Sequence, residues 1–270
     1  MTHPTPPHPP VNPALLDAAL AAADVAAAVV RPFYRAGLPA DTKDDRSPVT
    51  IADRSAERAM RAVLAERFPR HGILGEEFGL DRPDAPYRWV LDPVDGTRAF
   101  ITGRPVFGTL IALLEEGRPV IGIIDQPISG ERWIGVAGQR TQFLGGAGRV
   151  GVRDCTQLDQ AELSCTSPEI FTEAEMRRWQ RLRAGCRRTT WGGDCYAYGL
   201  IALGGIDVIA ESGLKIWDWA ALVPVIEGAG GRVTDWDGKP LHPGSAGDVL
   251  AVGAPQLLPS AIALLQENPA

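Results

Sequence analysis

The hydrophobic positions of the chain fall first into helical register. From Pro13 the sequence is alanine-rich, and Leu16, Leu20, Ala23, Ala27 and Val30 recur at spacings of four and three, which predicts an amphipathic helix ending near Arg31-Pro32. Residues 41–47 are polar and read as a mobile loop. After Pro48-Val49-Thr50-Ile51-Ala52-Asp53 a second helix is expected, with Ala56, Met60, Val63 and Leu64 inward and Arg54, Glu57, Arg58 and Arg61 outward. The pattern then changes to short apolar runs at 73–74, 89–91, 106–114 and 120–124. Glu115-Glu116-Gly117-Arg118 joins the last two as a hairpin, and 133–136 can extend the same sheet.

Gly145-Gly146-Ala147-Gly148 marks a loop and a domain boundary. Beyond it strands and helices alternate. Strands are expected over 161–165, 206–210, 231–234 and 249–252, and helices over 168–182, 196–203, 217–228 and 256–265. The reading divides the chain into a disordered extension over 1–12, an α+β part over 13–146 and an α/β part over 147–270.

Composition narrows the function classes. Lysine and arginine total 27 against 33 acids, a net charge of -6, which argues against a nucleic-acid or anionic-membrane partner. A local basic site around a phosphate would not register in that sum. No run is expected to approach the ~20 apolar residues that span a bilayer. The start, M-T-H-P-T-P-P-H-P-P, lacks the basic segment of a signal peptide. Cys155, Cys165, Cys186 and Cys195 contain no C-x-x-C and no neighbouring histidine, so they read as reduced thiols of a cytoplasmic protein rather than as a zinc site.

The candidate chemistry lies in acids at element ends. Trp89-Val90-Leu91 delivers Asp92 and, after Pro93-Val94, Asp95 into a turn closed by Gly96-Thr97. Proline and glycine bend the backbone so that two carboxylates and a carbonyl can converge, as Mg²⁺ requires. Asp53 opens a helix, Glu76-Glu77 follows a strand, and Asp218 stands between Trp217 and Trp219, where an unpaired carboxylate is costly to bury. Each acid also has a plainer reading: Thr50 and Asp53 as a helix cap, Glu76-Glu77 as a solvated pair, Asp92 and Asp95 as an ordinary turn, Asp218 as a cap. Taken together, they supply the carboxylates needed to hold two divalent ions ~4 Å apart, one of the acids bridging.

Gly75-Glu76-Glu77, Asp92-Pro93-Val94-Asp95-Gly96-Thr97 and Trp217-Asp218-x-Ala220-Ala221, with Val49-Thr50-x-x-Asp53 upstream, resemble the inositol monophosphatase family of Mg²⁺-dependent, lithium-sensitive phosphatases. The resemblance implies an α/β fold, a layered αβαβα sandwich, and a homodimer. It assigns Glu76, Asp92 and the Val94 carbonyl to one metal, and Asp92, Asp95 and Asp218 to a second. Two to three Mg²⁺ ions are expected, with inhibition by Li⁺. Thr97, hydrogen-bonded to Asp53, would orient the attacking water, with Asp53, Glu76 and Thr97 as the catalytic set. The amides of Gly96 and Thr97 would bind phosphate.

Arg98-Ala99-Phe100-Ile101-Thr102-Gly103 and Trp191-Gly192-Gly193-Asp194-Cys195-Tyr196-Ala197-Tyr198 resemble the histidinol-phosphate phosphatase branch. Asp194 and Glu211 would then pair the substrate ammonium and imidazole. Asp194 as a helix N-cap and Glu211 as a surface acid are the plainer alternatives. Asp125 reads as a turn residue, and Lys43 as either a solvated lysine or a closing residue over the metals. The substrate is a small phosphorylated molecule. The competing functions are an inositol or sugar monophosphatase and a non-catalytic ligand-binding protein on the same fold.

Overall fold

The computed structural model describes residues 10–36, 41–42, 48–49 and 51–266, with the backbone alone for 41–42 and 48–49. The expectations for residues 1–9, for Lys43 and for Thr50 as a helix cap lie outside the described residues.

Helices α1 (Pro13–Val30) and α2 (Ile51–Arg67) flank a two-stranded antiparallel ribbon, β1 (Asp41–Thr42) with β2 (Pro48–Val49). The ends of the stretch read as a loop and as the helix approach therefore pair with each other. On α1 the fully buried face is Leu15, Ala18, Ala19, Ala22, Ala23, Ala26, Ala27 and Val30, while Leu16 and Leu20 are half-buried at its edge. Small side chains carry the contact, so two helix backbones can approach closely. With its following turn, Pro13–Phe33 is long and apolar enough to cross a membrane by length and hydropathy, contrary to the expectation that no run would be. Here its alanine face packs into the core, and Asp24 pairs with Arg132 at 2.9 Å.

A seven-stranded sheet follows, in the order β4-β3-β5-β6-β7-β8-β9. Its strands are β3 (Gly72–Gly75), β4 (Gly79–Asp81), β5 (Tyr87–Asp95), β6 (Gly108–Glu115), β7 (Arg118–Gln126), β8 (Glu131–Val136) and β9 (Gln142–Leu144). The short helix α3 (Thr97–Ile101) leaves the end of β5. Glu116 and Gly117 turn the β6–β7 hairpin with φ of 49° and 81°, as the right-handed strand twist favours.

A five-stranded sheet, β11-β10-β12-β14-β13, is built from β10 (Glu162–Cys165), β11 (Arg188–Trp191), β12 (Val208–Glu211), β13 (Arg232–Thr234) and β14 (Val249–Val252). With it come α4 (Glu173–Gly185), α5 (Asp194–Ile201), α6 (Ile216–Trp219), α7 (Leu222–Gly228) and α8 (Leu258–Gln266). The helix expected over 168–182 is divided: Pro168–Ile170 forms a single tight turn, and α4 starts afresh where Thr172 and Glu175 make a reciprocal capping box. The helix expected over 217–228 is divided as well, because Pro224 has no N–H to offer the Ala220 carbonyl one turn back.

Alternation along the strands sorts the core into layers. On β6, Ile111 and Leu113 pack with α1 and α2, while Leu110, Ala112 and Leu114 pack with α5 and α7. On β14, Val249 and Ala251 join that same middle layer, while Leu250 and Val252 face α4 and α8. The order is helices, sheet, helices, sheet, helices, which is the αβαβα sandwich. The C-terminal ends of β3, β5 and β12 open into one cleft, where open α/β sheets bind ligands.

Candidate active site

In a regular strand, residues three apart point to opposite faces. Asp92 and Asp95 nevertheless converge, because the β5–β6 register shifts between them: Asp92 stands opposite Leu110 and Asp95 opposite Gly108. The extra residue is a bulge at Pro93-Val94, where proline has no N–H to lose from the ladder. Thr109 Oγ1 donates to the Pro93 carbonyl at 2.7 Å and pins the bulge from the neighbouring strand. The Val94 amide donates to Asp92 Oδ1 at 3.0 Å.

Asp92, Asp95 and Asp218 each offer a carboxylate oxygen within 4.8 Å of the others. Asp218 enters from α6, held by the Lys215 amide at 2.6 Å. Asp95 Oδ2 accepts from the Cys195 amide, also at 2.6 Å. Burial pushes the Asp92 carboxyl well above the ordinary carboxylate range, and Glu76, Asp95 and Asp218 push it further. Burial likewise raises Asp95, with Asp194 and Asp218 adding to it, and raises Asp218 to about 7. Hard oxygens crowded at this spacing fit Mg²⁺, whose opposite ligands at bonds of ~2.1 Å stand ~4.2 Å apart. A cation held there would offset the mutual repulsion of the three carboxylates.

A cleft of about 560 Å³ contains Glu76, Asp92, Val94, Asp95, Gly96, Thr97, Asp194, Glu211 and Asp218. Asp53 is buried in the first turn of α2 and does not line it. Glu76 lines the cleft but stands outside the closest convergent set. Thr97 Oγ1 donates to the Val94 carbonyl at 3.1 Å. The expected bond from Thr97 to Asp53 is therefore replaced by one within the turn, where the nearest acceptor is three residues back. Gly96 is the α3 N-cap with φ 84°, and a Cβ there would lie 2.8 Å from Asp194 Oδ2. Glycine is required both by the backbone angle and by this approach.

Asp194 is not the cap of α5; Gly193 holds that position, and no side chain caps it. Asp194 instead takes φ 43°, which carboxamide and carboxylate residues tolerate best among non-glycines. Burial and then Glu211 raise its carboxyl to about 6, while Arg104 and Arg98 pull it down. Glu211 is a buried acid rather than a surface one. Tyr198 OH donates to its Oε2 at 2.9 Å and the Thr166 amide to its Oε1 at 2.5 Å. Asp125 sits inside β7 rather than in a turn, paired with Arg132 at 2.6 Å.

The sequence reading gave no role to Arg98 and Arg104, which bring positive charge into the cleft, or to Thr166, Ser167 and Ser212, which also line it. The two arginines flank Thr102-Gly103 directly after the acidic turn, a local signal that was present. Thr166, Ser167 and Ser212 follow β10 and β12, which only the strand order brings side by side, and had no such signal.

Residues 12–270 match the inositol monophosphatase family, and the chain belongs to it. It is therefore a phosphatase, a phosphoric monoester hydrolase, of a family that is generally Mg²⁺-dependent. Over 221 residues it is 51% identical to the bifunctional phosphatase IMPL2, chloroplastic, of Arabidopsis thaliana, covering 81% of this chain and 63% of that protein. The chain thus spans less than two thirds of that relative. A histidinol-phosphatase of Mycobacterium tuberculosis is 40% identical over 238 residues, with 84% of this chain and 90% of the relative covered. An inositol monophosphatase structure from Zymomonas mobilis superposes with a TM-score of 0.86 at 51% identity, covering 93% of this chain and 97% of that one.

Proposed function

We propose that this phosphatase hydrolyses L-histidinol phosphate to L-histidinol and phosphate, with Mg²⁺ as its cofactor. The observation that carries the substrate is the pair of cleft acids, Asp194 and Glu211, added to the acids that would hold metal. A polyol phosphate offers only hydroxyls to such a pair. Histidinol phosphate offers an ammonium and an imidazole N–H, which carboxylates bind more strongly. The 40% identity to a histidinol-phosphatase supports this reading.

Asp92, Asp95 and Asp218 would hold one ion; Glu76, Asp92 and the Val94 carbonyl would hold another. When bound, such ions supply Lewis-acid polarisation of the phosphoryl group and a lowered pKa for water. Thr97 Oγ1 donates its hydroxyl proton to Val94 O, which leaves its lone pairs to accept a hydrogen bond from an attacking water. The amides of Gly96 and Thr97, at the start of α3, are free of side-chain caps and would donate to phosphate oxygens. Asp53 would support the site through its charge on Asp92. Two to three ions and inhibition by Li⁺ belong to the same reading.

The 51% identity to an inositol monophosphatase favours a second reading, inositol 1-phosphate as substrate. A panel of phosphomonoesters assayed for phosphate release with and without Mg²⁺ tests the proposal. The expected result is metal-dependent release from histidinol phosphate that Asp92→Asn abolishes in a folded protein; no release from any ester would leave a non-catalytic ligand-binding protein.

A further inference from the structure

Glu57 lies one turn after Asp53 and one turn before Arg61 on α2, and it is fully buried. The reading of the helix from its sequence placed it outward among the arginines; the structure turns it onto the tip of the β3–β4 hairpin. Its Oε2 accepts from the Glu77 amide at 2.7 Å, and its Oε1 from the Phe78 amide at 3.3 Å. Oε1 also takes Arg61 Nε at 2.7 Å, and the same guanidinium donates to the Gly79 carbonyl at 2.5 Å. Three successive residues of the hairpin tip are thus satisfied by one ion pair on α2.

The tip carries Glu76. Gly75 pairs with Gly79, whose φ of 67° closes a three-residue loop of Glu76, Glu77 and Phe78. The Glu76 amide donates to the Leu91 carbonyl at 3.2 Å, one residue before Asp92. Glu76 is therefore tied to β5 on one side and, through its next neighbour, to Glu57 on the other. A Cβ on Gly75 would lie 2.0 Å from Glu57 Oε1, so the glycine before Glu76 makes room for this carboxylate.

Something must hold that tip in place. Glu76 and Asp92 line the same cleft, and two like charges drive their elements apart. A buried acid is a costly way to close a hairpin unless its hydrogen bonds are all made. Here they are made to the segment that would otherwise retreat.

We infer that Glu57 is a positioning residue: through the amides of Glu77 and Phe78 it fixes where the Glu76 carboxylate stands against Asp92, and with that the Mg²⁺ affinity of the site. The inference rests on the proposed reading of Glu76 as a metal ligand. Two variants separate positioning from folding. Glu57→Gln keeps the shape and removes the charge. Glu57→Asp keeps the charge beside Arg61, and hence the fold, but withdraws the oxygens from both amides by one methylene.

Calorimetric titration of Mg²⁺ into the full-length protein is the readout, with melting temperature and kcat at saturating Mg²⁺ measured alongside. Groups that orient metal ligands change affinity by ~10–100-fold when altered, and a weakening of at least ~10-fold is expected in Glu57→Asp and in Glu57→Gln, with kcat recovered at saturating metal. If Glu57→Gln does not fold, Glu57→Asp decides alone. A lowered melting temperature with unchanged Mg²⁺ affinity overturns the inference and leaves the functional reading standing. A parent protein that takes up no Mg²⁺ overturns both.

Discussion

The carboxylate of Asp95 accepts a hydrogen bond from the backbone amide of Cys195 at 2.6 Å. The residues stand in different sheets' halves of the chain, one at the end of β5 and the other in the first turn of α5. An acid of the convergent set Asp92, Asp95 and Asp218 thereby anchors the helix that carries Asp194, so the acidic turn and α5 share one contact in the cleft.

Asp95→Asn separates the two roles of that carboxylate. The amide oxygen still accepts from Cys195, so the fold and the placement of Asp194 persist, while the charge facing Asp92 and Asp218 is gone. Mg²⁺ affinity is expected to fall at least ~10-fold, by the measured sensitivity of metal sites to nearby changes, with the melting temperature of the metal-free protein unchanged or raised. Calorimetry and thermal melts check both.

The acid cluster sets a pH dependence whose sign follows from the raised carboxyls. In the folded, metal-free protein Asp218 titrates at about 7, and Asp92 and Asp95 are also raised above their ordinary values. The folded state then holds protons that the unfolded chain, with carboxyls near ~4, has released, so these groups stabilise the fold at low pH and that contribution is lost as pH rises through the folded values. Melts at about pH 6 and about pH 8 should show Mg²⁺ raising the melting temperature more at the higher pH, where the ionised acids repel and no proton competes. An equal rise at both would contradict the clustered geometry.

Asp24, Arg132 and Asp125 form a bridge from α1 to the large sheet, at 2.9 and 2.6 Å, with Asp125 buried, Arg132 half-buried and Asp24 exposed. Arg132→Met leaves Asp125 buried without its cation, a loss of ~3–5 kcal/mol. At ~2–4 °C per kcal/mol for a chain of this size the melting temperature should fall on the order of 10 °C. The bridge lies outside the cleft, so kcat at a temperature well below melting should stay at the parent value.

Asp194→Asn tests the substrate end. Asparagine accepts the left-handed backbone at this position, so the loop is kept. A hydrogen bond to a charged group contributes ~1.5–3 kcal/mol, or ~10–150-fold in binding. KM for histidinol phosphate should rise in that range, while a simple aryl phosphate, which has no ammonium, is hydrolysed as before. Equal effects on both esters would assign Asp194 to the phosphate end.

The layered fold was readable because its long elements are strongly periodic: α1, α2 and the β6–β7 hairpin all emerge from their apolar spacing. In the two large sheets the strands that escaped notice, β4, β9 and β11, lie at the edges, where exposure removes the alternation that marks a strand; the two-residue strands β1 and β2, also missed, are too short to show any. The α1 stripe was displaced onto its leucines because hydropathy ranks leucine above alanine, whereas close helix packing selects the smaller residue. In the site, Asp92 and Asp95 were legible from Pro93 and Gly96, which announce the bend. Glu57 was not: a glutamate four residues from an arginine on a charged helix looks like a solvated pair, and only the hairpin tip folded against it gives it a buried role. The Thr97 bond to Val94 was equally hidden, since it depends on the depth of the turn rather than on residue type.

The substrate is tested most directly by kcat/KM for L-histidinol phosphate against inositol 1-phosphate at saturating Mg²⁺. Sites built to bind a polar group discriminate strongly against analogues that lack it, and a preference of at least ~100-fold for histidinol phosphate is predicted on that basis. Equal values, or a preference for inositol 1-phosphate, would contradict the account.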